Sequence, residues 1–310
     1  MPKLRKPIPA ELPEPETIDI DALAEDLRSG LYELVCVLGP TASGKTRYAV
    51  RLAHELSARG LPAEIVSADS RQVYRGMDIG TGKDLAEYGD IPYHLIDIRE
   101  AGEQYNVYDF TQDFRAAFAD IRARGKVAIL CGGTGLYINA VTAGYDFRTS
   151  KPLSQPAVSG QPSTPLAIRA RQRARPCPTR GARSGHCLSE SNQTGCPEDV
   201  GTVSPRTFFI GTLVDRETRN ARIDARLRAR LEEGMTEEIR GLLEHGVPAE
   251  TLIGYGLEYK FVTLFLQGQL TGQDELYEKL STAIHQFAKR QMTWFRGMER
   301  SGVKIHWVEV

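Results

Sequence analysis

The chain has 310 residues, 41% hydrophobic and 25% charged, with a formal net charge of −1. That is the make-up of a globular protein large enough to bury a sizeable core, and it confines any nucleic-acid surface to a local patch. No run approaches the roughly 18–20 apolar residues of a membrane span, no apolar run follows the basic residues of MPKLRKPIPAELPEPE, and five cysteines, an odd number, favour a reducing cytoplasm.

Residues 1 to about 30 are rich in Pro and Glu and read as a loose arm, bounded at residue 33. The apolar run 34–38 then predicts a buried parallel strand, and 45–58 predicts a helix stopped near Gly60. Between them lies GPTASGKT, the residues Gly39, Pro40, Thr41, Ala42, Ser43, Gly44, Lys45 and Thr46, which fits the phosphate-loop pattern in its proper strand–loop–helix setting. Its glycines let backbone N–H groups converge on one anion, and the helix N-terminus adds partial positive charge. Lys45 is expected to reach terminal phosphate oxygens and Thr46 to bind Mg²⁺.

Further strands are predicted over 64–67, 93–98 and 126–131, with a helix over 109–124. Strands alternating with helices predict an α/β fold, a P-loop NTPase-like parallel sheet flanked by helices. Ligands of such sheets bind at the carboxyl ends of the strands. Three segments fall there. Asp69 opens the stretch SADSRQVYRGMDIGTGK at 67–83 and is either a general base or a turn cap. Asp97, in YHLIDI at 93–98, either holds Mg²⁺ through water or caps its strand, and His94 is expected to pack rather than catalyse. Thr134, in GGTGLY at 132–137, either donates to a ligand or sits in a plain turn.

Residues 148–206 have no aromatic residue and eight of the 17 prolines. A stretch that poor in apolar surface is expected to be disordered. Cys177, His186, Cys187 and Cys196 lack the paired spacing of a zinc site. Regular patterns resume with a strand over 208–214, helices over 216–233, 236–245, 251–267 and 273–296, and a closing strand over 304–310, so the C-terminal part is expected to be mostly helical. Arg216, Arg219, Arg222, Arg226, Arg228 and Arg230 on one helix, and the mixture of Lys289, Arg290, Trp294, Phe295 and Arg296, offer a surface for single-stranded RNA, although core packing is favoured for Trp294 and Phe295.

GPTASGKT, SADSRQVYRGMDIGTGK, YHLIDI, GGTGLY and AKRQMTWFRGM at 288–298 together resemble the tRNA dimethylallyltransferase family, also called tRNA isopentenyltransferases, over 34–147 and 207–310. The resemblance implies a cytoplasmic, monomeric enzyme. It would move a dimethylallyl group from dimethylallyl diphosphate to the N6 amine of the adenosine 3′ of the anticodon. It implies Asp69 as general base, Thr134 at the target nucleotide, Asp69, Ser70, Arg71 and Gln72 as tRNA contacts in the anticodon loop, and Lys45 and Thr46 on diphosphate and Mg²⁺. Two departures from the family pattern stand out. Gly256 follows Gly254 and Tyr255 where many members carry Arg or Lys, and the family's helical insertion with its tRNA-contact motif is not found in 148–206. The P-loop alone also admits a small-molecule kinase. The altered middle admits an inactive phosphate- or RNA-binding remnant.

Overall fold

The computed structural model describes residues 12–143, 145–146, 151–152 and 204–310. Six parallel strands make its main sheet: β1 (Leu34–Leu38), β2 (Ala63–Ser67), β3 (Tyr93–His94), β4 (Val127–Gly132), β7 (Thr207–Leu213) and β8 (Ile305–Glu309), in the order β3-β2-β4-β1-β7-β8. Tyr145–Asp146 (β5) and Lys151–Pro152 (β6) form a separate antiparallel pair. The helices are α1 (Ile20–Arg28), α2 (Lys45–Ala58), α3 (Val107–Ala123), α4 (Gly135–Thr142), α5 (Arg216–Glu232), α6 (Met235–Glu244), α7 (Ala249–Tyr255), α8 (Leu257–Leu266) and α9 (Gln273–Arg300).

The apolar run of β1 is buried along its whole length, as a central parallel strand requires. Its alternate side chains feed two cores. Val35 and Val37 pack with Leu52, Leu56 and Ile65 on the α2 face, while Leu34, Cys36 and Leu38 pack with Phe110, Phe114, Ile138 and Phe295 on the other. A third core, built on Ile223, Leu227, Tyr259, Leu280 and Ile284, joins α5–α9 and takes in Val73, Tyr74 and Met77 of the loop after β2. The structure thus bears out a P-loop-like sheet with a mostly helical C-terminal part.

Several expected boundaries move, each for a local reason. The arm expected over 1–33 contains α1, which Asp19 caps by accepting the Asp21 and Ala22 amides and which buries Leu23 and Ala24 in the α2-face core. The strand expected over 93–98 is only Tyr93–His94, because Leu95 and Asp97 take positive φ and break the extension. The helix expected over 251–267 is two, α7 and α8, divided at Gly256. The disorder expected over 148–206, and Cys177, His186, Cys187 and Cys196 within it, lie almost wholly outside the described residues, as do residues 1–11.

Candidate active site

A cavity of about 700 Å³ opens at the carboxyl ends of β1, β2 and β4, walled on the far side by α5, α7, α8 and α9. The P-loop supplies Thr41, Ala42, Gly44, Lys45 and Thr46 to its lining. Gly44 takes a φ of 79° to turn the chain into α2, a conformation that favours glycine. Gly39, Pro40 and Ser43 shape the loop from behind. The Ser43 hydroxyl donates to the Pro40 carbonyl at 2.8 Å and shares a 2.6 Å hydrogen bond with Thr212 at the end of β7. Lys45 Nζ donates to the Pro40 carbonyl at 3.3 Å, and burial lowers its pKa, with neighbouring Asp69 acting against the shift.

Asp69 and Thr134, from separate strand ends, come together here. Asp69 Oδ1 accepts the Arg71 amide at 2.9 Å, so the cap role is real. Among the described residues Oδ2 accepts no protein hydrogen bond and is left to face the cavity. Thr134 Oγ1 accepts the Ser70 amide at 3.4 Å, leaving its own proton free to donate elsewhere. Ser70, Arg71 and Gln72 also line the cavity, but Gln72 is engaged in holding the loop: it accepts from Ser67 Oγ at 3.1 Å and donates to the Gly82 carbonyl at 3.2 Å. The side chain of Arg71 runs beside Gly256, where a Cβ would lie 3.5 Å from its Nε.

Asp97 is not a free carboxylate at the site. It pairs with Lys83, whose buried ammonium also bonds Asp78 Oδ1 and the Tyr74 carbonyl, each at 2.6 Å. Lys83 thereby ties down the loop carrying Asp69. Glu238 of α6 holds the same loop from outside, accepting the amides of Asp78, Ile79 and Gly80 at 2.8, 2.7 and 3.1 Å. His94 does not pack in a core as expected: it is partly exposed and bonds the buried Glu64 carboxylate at 2.7 Å. Cys131 lines the cavity, yet burial pushes its thiol up to about 11, so it is no thiolate nucleophile near neutrality.

The helical wall divides the expected RNA surface. Arg216, Arg222 and Arg228 are exposed, Arg219 and Arg230 are buried, and Arg226 and Arg230 line the cavity. Residues 219, 223, 226, 227 and 230 recur at the spacing of one helix face, a period visible in the sequence but masked by the charge of its arginines. On α9, Phe295 is buried in the core, whereas Trp294 is 43% exposed and lines the cavity mouth with Leu136, Phe287 and Arg290. Core packing was therefore the correct expectation for only one of the two aromatics. Gln291, one turn away, was not anticipated as a site residue. Its Oε1 accepts the Thr41 amide at 2.8 Å and its Nε2 donates to the Gly133 carbonyl at 2.9 Å, clipping the P-loop to the glycine loop after β4.

Comparison with known proteins places the chain in a family. The family model described as IPP transferase matches residues 72–298. The tRNA dimethylallyltransferase 2 of Porphyromonas gingivalis is 49% identical over 288 residues, covering 89% of this chain and 93% of that protein. The tRNA dimethylallyltransferase 2 of Shewanella sediminis is 46% identical over 288 residues, covering 90% and 93%. Among solved structures, the full-length tRNA isopentenylpyrophosphate transferase of Bacillus halodurans superposes with a TM-score of 0.65 at 26% identity, covering 90% of each chain. With the family model spanning most of its length and relatives near half identity along nearly all of theirs, the chain belongs to the IPP transferase family, the tRNA dimethylallyltransferases.

Proposed function

We propose that this enzyme transfers a dimethylallyl group from dimethylallyl diphosphate to the N6 amine of the adenosine 3′ of the anticodon in tRNA. One observation carries the reading: a single cavity holds a phosphate loop, Asp69 and Thr134 together, and opens past exposed Phe287, Arg290 and Trp294. The relatives' names supply the donor and acceptor classes. The position of the adenosine rests on the motif resemblance.

The chemistry has two halves. An adenine N6 amine is a weak nucleophile, because its lone pair is delocalised into the ring. Asp69 Oδ2 takes its proton as the new C–N bond forms. The allylic C–O bond breaks and its electron pair leaves with the diphosphate, whose growing charge is met by Lys45 and the P-loop amides. Thr134 donates its hydroxyl proton to the bound nucleotide or phosphate. The adenosine must leave its stack to reach Asp69, and the aromatic and basic mouth suits an unstacked anticodon loop.

Among the described residues no group of three or more His, Cys, Asp or Glu is placed to hold a metal. Mg²⁺ needs no such cluster, because it binds through one or two protein oxygens, water and substrate phosphates. Thr46, in the cavity lining, is the residue that would hold it. When bound, Mg²⁺ supplies further charge neutralisation at the leaving diphosphate. The enzyme acts as a monomer in the cytoplasm in this reading; among the described residues no helix is long and apolar enough to cross a membrane.

Incubation with radiolabelled dimethylallyl diphosphate and unmodified tRNA tests the proposal. Label is expected in prenylated adenosine after digestion of the tRNA. Label confined to free AMP, or ATP consumption with a small acceptor and no label in tRNA, would overturn it.

A further inference from the structure

Asp69 sits on the loop that follows β2, and a chain of hydrogen bonds runs from its backbone out of the cavity to α6. The Asp69 amide donates to Ser67 Oγ at 3.3 Å, and Ser67 Oγ donates to Gln72 Oε1 at 3.1 Å. Gln72 Nε2 donates to the Gly82 carbonyl at 3.2 Å. The peptide group joining residues 82 and 83 carries the chain on, its Lys83 amide donating to the Asp78 carbonyl at 3.2 Å. The peptide group joining 78 and 79 then donates, through the Ile79 amide, to Glu238 Oε2 at 2.7 Å. Every donor in the series points the same way, so each bond polarises the next, and the series ends on a carboxylate.

Glu238 is fully engaged at that end. Its Oε2 also accepts the Asp78 amide at 2.8 Å, and its Oε1 accepts the Gly80 amide at 3.1 Å and the Tyr259 hydroxyl at 2.7 Å. Four donors thus fill the four lone-pair sites of one carboxylate. The fit against α8 is close: a Cβ on Gly80 would lie 2.8 Å from the Tyr259 ring. Glu238 stands outside the cavity lining, so it acts on the site only through the loop. Lys83 ties the same loop independently, through Asp78 Oδ1 and the Tyr74 carbonyl.

We infer that Glu238 is a positioning residue for the transfer reaction, fixing Asp69 from α6 through the relay of Ile79, Lys83, Gln72 and Ser67. The inference rests on the reading of Asp69 as the base that takes the N6 proton. A general base works only within hydrogen-bond reach of that proton, and a displacement of about 1 Å costs on the order of 10²-fold in rate. The relay sets the Asp69 backbone, and the Arg71 amide on Oδ1 then leaves Oδ2 to the cavity. The P-loop is held by other bonds, from Gln291 and Thr212, so the relay governs the proton transfer and not the grip on the donor.

The test is a double-mutant cycle on the full chain, with kcat measured at saturating dimethylallyl diphosphate and unmodified tRNA. Glu238→Gln keeps the volume but turns an NH₂ group towards N–H donors, leaving amides of the relay unpaired. It is expected to lower kcat by about ten- to a hundredfold, with donor affinity in calorimetry within about twofold of wild type. Glu238→Asp should recover part of the loss, since it restores the carboxylate one methylene short. In an Asp69→Asn background Glu238→Gln should cost less than about twofold more, because it acts through a base already removed. If Glu238→Gln does not fold, Ser67→Ala cuts the relay beside Asp69 and is read by the same cycle, with the same outcome expected. A kcat within twofold of wild type in the folded variant, or a loss of equal size with and without Asp69, overturns the relay and leaves the transferase reading standing. Wild-type protein that puts no label into tRNA overturns that reading, and the relay with it.

Discussion

Replacing Gln291 with methionine removes the amide that joins two phosphate-side loops while nearly preserving its volume. The side chain is 8% exposed and makes two hydrogen bonds, to the Thr41 amide at 2.8 Å and the Gly133 carbonyl at 2.9 Å. Space there is tight: a Cβ on Gly133 would lie 2.4 Å from Gln291 Nε2. Each bond is worth ~0.5–1.5 kcal/mol net, and a buried backbone group left unpaired costs ~1–3 kcal/mol. Allowing for partial rescue by water at the cavity edge, Gln291→Met should destabilise the fold by about 2–4 kcal/mol. In a chain of this size that lowers the melting temperature by roughly 3–6 °C. Because the freed loop is the P-loop, donor affinity should fall as well, by about tenfold. Thermal unfolding and calorimetry with dimethylallyl diphosphate read the two effects separately. A variant that melts with wild type and binds donor within twofold of it would show that the clip does not position the P-loop.

Lys45→Ala should weaken donor binding by about 1.5–3 kcal/mol, the worth of a charge-assisted contact, and unchanged affinity in calorimetry with full transfer activity would exclude Lys45 from the diphosphate. Asp69→Asn keeps the shape and the Arg71 bond but not the proton-accepting power; turnover should drop by on the order of 10²–10⁴-fold with donor affinity near wild type, whereas surviving turnover would leave Asp69 as a cap alone. Glu64, buried in β2, accepts from Arg124, Lys126 and His94, and the Arg124 bond is the chief cause of a pKa held well below the usual carboxylate range. A lowered folded pKa contributes stability above the unfolded value and loses it as pH falls towards the folded one. Glu64→Gln should therefore cost about 3–5 kcal/mol at neutral pH, with the gap to wild type narrowing in denaturant titrations below about pH 4.5; a gap that stays constant from pH 7 to 3 would refute the ion-pair account.

Much of the fold was legible because its signals are local. Buried strands announce themselves as apolar runs, and 34–38 and 45–58 coincide with β1 and α2. The P-loop was readable because glycines, lysine and threonine act through backbone geometry at fixed spacing. α1 was overlooked because the prolines and glutamates before it dominate the composition, although Asp19 and the apolar positions 20, 23, 24 and 27 carry a helix pattern.

The candidate site divides in the same way. Asp69, Thr134 and the P-loop could be nominated from strand-end position alone. Whether Asp97 serves a metal or a lysine could not be decided there, because Lys83 reaches it only after the loop between them folds back. Nor does a local pattern distinguish an arginine left in solvent from one enclosed in the cavity wall. Arg216 and Arg230 lie on the same helix, and only the packing of α5 against the cavity leaves one in solvent and encloses the other. Trp294 and Phe295 are adjacent, and one turns to the core while the other turns to the mouth. The sequence by itself determined most strands of the main sheet, the phosphate loop and the family, since these depend on short-range periodicity and backbone permissiveness. The tertiary structure alone decided which charges meet, through bonds such as Gln291 to Thr41, 250 residues apart, because electrostatic and hydrogen-bond partners are set by distance in space and not by separation along the chain.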